Sequence, residues 1–170
     1  MNDFIQPMDQ AMKAMVKKEG KYLSFSLASE EYGIGILKIK EIIGMMTITS
    51  IPQTPDFVKG VINLRGRVIP IVDLRLKFGM EPMAYTDRTC IIVVEIVGQS
   101  GTIQIGIVVD SVSEVLNIRA EQIEKPPTFG ASLNTNFIAG MAKMESGVKI
   151  LLDIDQVLAA EEILALEKVS

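Results

Sequence analysis

From Lys21 onward the apolar residues of this chain fall in short runs whose period is that of a β-strand rather than a helix. Tyr22-Leu23-Ser24-Phe25-Ser26-Leu27 alternates strictly and predicts a half-buried strand. Ala28 to Glu31 make a turn, and Tyr32-Gly33-Ile34-Gly35-Ile36 returns beside it. Lys38 to Ile43 reads as one helical turn passing into a strand. Thr54 as N-cap, Pro55 at the first helical position and Gly60 beyond the end frame a predicted short helix, with Phe57 and Val58 facing inward.

The strongest pattern is the stretch from Val61 to Leu74. Two β-branched runs flank Arg65-Gly66, a predicted tight hairpin turn in which glycine supplies the positive φ. Pro70 cannot donate to a ladder, so the second run is expected at a sheet edge or bent there. Asp73 caps a short helix over Leu74 to Phe78 that Gly79 closes. The turn carries Arg65 and Arg67 on a stiff tip, where Arg65 is either a docking point or a plain solvated turn residue. If the tip closes over Glu41, the exposed ion pair adds only ~0.2–1 kcal/mol, but it fixes the direction of the guanidinium.

The same plan then recurs. Glu81 to Asp87 reads as a linker, Cys90 to Ile96 as a strand, Gly98 to Gly101 as a turn and Ile103 to Val109 as the returning strand. Asp110 begins a further turn, and Ser113 to Leu116 pass into another strand. Lys125 to Phe129 is a proline-rich loop, Asn136 caps a predicted turn ending at Gly140, and Val148 to Asp153 repeats Ile69 to Asp73 in outline. Gly35 aligns with Gly106 at an offset of 71 (106 − 35), and Gly60 with Gly140 and Asp73 with Asp153 at 80 (140 − 60, 153 − 73). The expectation is a duplicated small barrel of about five strands, with an insertion in the second copy's proline-rich loop. Residues 1–20 are expected to form a flexible leader or a weak amphipathic helix, residues 30–87 and 88–155 the two subdomains, which can share the N-terminal strand, and 155–168 a C-terminal helix capped by Asp155. The basic tip occurs once: Asn63-Leu64-Arg65-Gly66-Arg67 aligns with Lys143-Met144-Glu145-Ser146-Gly147.

Composition narrows the chemistry. The 170 residues carry a net charge of −4, which argues against a nucleic-acid surface, since phosphate binding rests on clustered Lys and Arg. No apolar run approaches the ~20 residues needed to span a bilayer. One cysteine allows no internal disulfide and fits a reducing cytoplasm. The chain has no histidine, which removes the commonest general base and metal ligand. There is no phosphate-binding loop and no nucleophile elbow, and Gly33-Ile34-Gly35 lacks a third glycine. No metal site or cofactor is expected, and the reading is a non-enzymatic interaction module. A small-ligand-binding barrel is the alternative from another class.

Phe57 to Gly66, followed by Val68 to Arg75, closely resembles the signature of the CheW family of bacterial chemotaxis coupling proteins. Glu31-Tyr32-Gly33-Ile34, Ile39-Lys40-Glu41-Ile42, Gly106 to Asp110, Val112 to Leu116 and Ala120 to Ile123 resemble it too, so the similarity covers about Lys21 to Glu162. The resemblance implies a mainly β fold of two SH3-like five-stranded barrels with short helices and an apolar groove between them. It implies a cytoplasmic scaffold, recruited to membrane receptor arrays, that links chemoreceptor cytoplasmic tips to the regulatory domain of the histidine kinase CheA. On the same ground Ile39, Glu41, Gly60, Asn63 and Arg65 match positions tied to receptor contact, with Val112 and Val115 on the groove side. Phe129 is either a kinase contact or a buried core phenylalanine. The leader departs from the family's compact core. A CheW-like module of another chemotaxis regulator is the nearer alternative.

Overall fold

The computed structural model describes residues 19–98, 101–126 and 136–158. The leader through residue 18, the tip of the turn at 99–100, the loop containing Phe129 and the chain from 159 onward lie outside the described residues. Eleven strands run in order: β1 Gly20–Leu27, β2 Glu30–Gly35, β3 Ile39–Gly44, β4 Val58–Leu64, β5 Arg67–Asp73, β6 Cys90–Gly98, β7 Gly101–Val109, β8 Ser111–Ile118, β9 Ile123–Glu124, β10 Ile138–Met144 and β11 Gly147–Leu152. Two one-turn helices, α1 Leu74–Lys77 and α2 Ile154–Val157, follow β5 and β11. The expected mainly β class with few short helices is the one observed.

The strands form two sheets, β8-β1-β2-β11-β10-β9 and β3-β6-β7-β5-β4. Sheet membership crosses the sequence repeat. The hairpin opening the first half, β1-β2, pairs with strands of the second half, while β6-β7 joins β3, β4 and β5 of the first. Each exchange is sealed by a parallel ladder: Ile71 beside Gly106 in one sheet, Leu151 beside Gly33 in the other.

Register corrects the repeat's alignment. The mate of Gly106 is Gly33, not Gly35, an offset of 73 (106 − 33). A Cβ on Gly33 would touch Leu151, and one on Gly106 would crowd Ile71 and Ile91, whereas Gly35 has open space. Bulges repeat as well. β3 skips a residue against β6 before Glu41, as β8 does against β1 before Glu114, again 73 apart (114 − 41). The bulges before Gly60 and Gly140 keep the offset of 80.

Most of the core lies where the two sheets contribute to one cluster. Leu23, Phe25, Leu27, Tyr32 and Ile34 meet Val72, Leu74, Ile92, Val94, Ile105 and Ile107 there. Each sheet also keeps a smaller cluster of its own, around Ile62, Ile69 and Ile91 in one and Ile118, Ile123 and Leu151 in the other. Strand β1 is therefore buried on both faces rather than half-buried as predicted. Its Ser24 is fully buried and donates to Glu31 Oε2 at 3.1 Å, the partner a buried hydroxyl needs.

Three local expectations give way to tertiary pairing. Neither predicted one-turn helix, after Thr54 or after Asn136, forms; turns lead into β4 and β10, where Asp73 N–H donates to Phe57 O and Asp153 N–H to Phe137 O. Pro70 is not at an edge, because β5 lies inside its sheet. The partner of Pro70 across the ladder, Val61, exchanges both backbone bonds with Thr49 instead, and the parallel ladder to β7 begins at Ile71. No donor is called on at that position. The cap of α2 is Asp153, whose carboxylate accepts from Gln156 N–H, and not Asp155.

Phe25 is fully buried and stacks on Tyr32 at 5.9 Å, so Phe25→Ala is expected to lower unfolding free energy by about 3–5 kcal/mol in a urea titration. All three tyrosines have phenols raised above 10.0: burial raises Tyr22; burial and then the charge of Glu30 raise Tyr32; burial, the charge of Asp73 and a hydrogen bond to it raise Tyr85. Raised folded-state values contribute stability that is complete below pH 10 and is lost as pH rises toward the folded values. Thermal melts across this alkaline window are expected to fall, with phenolate absorbance appearing together with unfolding.

Candidate docking surface

The β4-β5 hairpin turns through Arg65 at φ 52° and Gly66 at φ 85°, two left-handed residues in succession. That conformation matches strand twist and explains the glycine. Asn63 Oδ1 accepts Gly66 N–H at 2.8 Å, so the residue preceding the turn braces it. Arg65 Nη2 then reaches Glu41 Oε1 on β3 and forms an ion pair. The tip closes over Glu41 as the sequence suggested, although 24 residues separate the two. The bulge before Glu41 helps to set its direction.

Gly60 stands at the base of the same hairpin. Its φ of 137° and the approach of Thr49 leave no room for a side chain, since a Cβ would lie 2.0 Å from the Thr49 carbonyl oxygen. The segment at Thr49 can thus lie against the outer edge of β4, with Thr49 N–H donating to Val61 O and Val61 N–H to Thr49 O. Glu41, Gly60, Asn63 and Arg65 therefore belong to one sheet and one hairpin assembly. Ile39 begins β3 and is half-buried against the inter-sheet core.

Val112 and Val115 are not on that sheet. They lie on β8, the edge strand of the other, where Val112 packs on the inter-sheet core and Val115 is 56% exposed. Register makes Val112 the mate of Ile39 (112 − 39 = 73). Phe129 falls outside the described residues. In the second half Glu114 occupies the position of Glu41 and Glu145 that of Arg65, so acids stand at both places that hold the ion pair in the first. The asymmetry at the tip was visible from the repeat; the matching of Glu41 with Glu114 needed the ladder register.

Sequence reading passed over one cluster. Arg75 Nη1 donates to Asp110 Oδ2 at 2.6 Å, and that oxygen also accepts Ala28 N–H at 2.8 Å. Tyr85 Oη donates to Asp73 Oδ2 at 3.0 Å and Arg75 Nε donates to Glu81 O, which tie the predicted linker down at both ends. By sequence Asp110 is a turn residue, and its only signal of a joint is that it follows one strand and leads into another. Among the described residues no group of three potential metal ligands occurs, and no helix is long and apolar enough to cross a membrane.

The family model for the CheW-like domain matches residues 21–162, and the chain belongs to that family, whose members act as scaffolds or adaptors in chemotaxis. It is 43% identical over 150 residues to the chemotaxis protein CheW of Klebsiella aerogenes, covering 88% of each chain. It is 30% identical to a probable chemotaxis protein CheW of Rhizobium etli, over 91% of this chain and 97% of that one. Its fold is similar to the crystal structure of the scaffolding protein TtCheW from Thermoanaerobacter tengcongensis, with a TM-score of 0.74 and 37% identity over 85% of this chain and 95% of that one.

The ion pair is open to solvent on the arginine side, so Arg65→Ala is expected to change unfolding free energy by less than about 1 kcal/mol, read by chemical denaturation.

Proposed function

We propose that this chain is a non-catalytic, cytoplasmic adaptor that couples the cytoplasmic tips of chemoreceptors to the histidine kinase CheA in membrane-associated arrays. Membership of the CheW-like family supports this reading, as does a chain without histidine. The observation that carries it is the Glu41-Arg65 ion pair, built in the first half and replaced by two acids in the second. A contact serving only the fold has no reason to be confined to one copy. A guanidinium whose direction is set before binding loses less freedom when it meets a partner.

In this reading the receptor presents a helical hairpin. Ile39, Val112 and Val115 supply apolar contact, Arg65 fixes register, Glu41 and Asn63 hold the arginine and its turn, and Gly60 lets the neighbouring segment lie close. Phe129 is the proposed contact to the kinase regulatory domain, on the resemblance alone. The decisive experiment is reconstitution with a receptor fragment and CheA: kinase activity rises only when this protein is added, and activity indifferent to it overturns the proposal. Arg65→Glu places two acids at the tip and is expected to abolish receptor pull-down while circular dichroism and melting stay close to wild type. Unchanged pull-down by the folded variant counts against the assigned surface.

A further inference from the structure

Two ion pairs stand at corresponding corners of the halves, the helix supplying the cation in one and the anion in the other. In the first, Arg75 on α1 donates to Asp110, which sits where the chain leaves β7 for β8 and therefore passes from one sheet to the other. The same carboxylate accepts Ala28 N–H, just past the last pair of β1 with β8. In the second, Asp155 on α2 accepts Val97 N–H at 3.2 Å, beyond the last pair of β6 with β3, and binds Lys38 at 2.6 Å. Lys38 precedes β3, where the chain passes between sheets in the opposite sense.

The helix residues and the hairpin amides are mates, while Asp110 and Lys38 fall one residue apart in the repeat. Arg75 and Asp155 are 80 apart (155 − 75) and Lys38 and Ser111 are 73 apart (111 − 38). Ala28 and Val97 are 69 apart (97 − 28), as are Ser24 and Val93, the partners of the mated Gly33 and Gly106. In one latch the helix brings the cation, in the other the anion, yet in both a carboxylate takes the hairpin amide that has no strand beside it. Each latch also joins the sheets. The helix after β5 reaches the β1-β2 turn of the other sheet, and the helix after β11 reaches β6.

We propose that these two latches lock the sheets against each other, the Arg75-Asp110 latch closed and the Lys38-Asp155 latch releasable. The side chains of the first are 14% and 16% exposed, those of the second 39% and 30%. Salt screens exposed pairs far more than enclosed ones, with a Debye length of about 3 Å at about 1 M. The inference is independent of what binds at Arg65.

Amide hydrogen exchange of the full chain tests it. Raising sodium chloride from about 0.05 to about 1 M is expected to speed exchange at Val97 by roughly two- to fivefold while Ala28 stays protected. Equal response at the two amides, or none, overturns the assignment. A second measurement uses the exchanged charges. Arg75→Asp alone lowers the melting temperature, and adding Asp110→Leu with Ser111→Lys copies the residues of the other latch (Asp155, Leu37 and Lys38). Most of the lost melting temperature is expected to return; a triple variant melting no higher than the single one refutes the equivalence. If these variants do not fold, the salt comparison on the natural protein still decides.

Discussion

The parallel ladders that seat β7 beside β5 and β2 beside β11 are the constraint on which the rest depends. They place each half's opening hairpin in the sheet of the other half, so neither half's strands make a sheet alone. The large shared core follows from this exchange. Leu23, Phe25 and Ile34 come from one exchanged hairpin, Ile92, Val94, Ile105 and Ile107 from the other, and they meet in the cluster between the sheets. Gly33 and Gly106 sit at the ladders because a side chain there would press on Leu151 or on Ile71 and Ile91.

With the sheets fixed in this way, polar groups are left at the joints and tips, and their arrangement differs between halves. At the joints the acid and base change places but the result is the same, an amide satisfied and two sheets tied. At the tips the result is different. Arg65 meets Glu41 in the first half, whereas the matching positions of the second are Glu145 and Glu114. Duplication preserved what folding requires and left the tips free to diverge. Asn63 holds the first turn where the second has Lys143, while the close approach of Thr49 at Gly60 has its counterpart in Ile123 and Glu124 at Gly140.

Much of the surface around Arg65 was legible beforehand because it is local. The Arg65-Gly66 turn, the Asp73 cap of α1 and the strands on either side depend on residues a few positions apart. The Glu41-Arg65 pair was anticipated from the reach of the tip alone. The latch at Asp110 was not, since nothing in the pattern near Asp110 announces that Ala28 and Arg75 will arrive there, 82 and 35 residues away along the chain. Thr54-Pro55 and Asn136 carried sound helix-start signals and were overruled, because the backbone of Phe57 and Phe137 is needed to receive Asp73 and Asp153.

The amino-acid sequence by itself determined the strands, the turn chemistry, the duplication and the one-sided basic tip, since alternation, glycine placement and repeated spacing act over short distances. Only the tertiary structure decided which hairpin joined which sheet, that β1 was covered on both faces, and that the repeat matched Gly33 rather than Gly35 to Gly106. The physical reason is that an apolar strand buries equally well against either half. The choice between partners is made by ladders and cores whose members lie tens of residues apart.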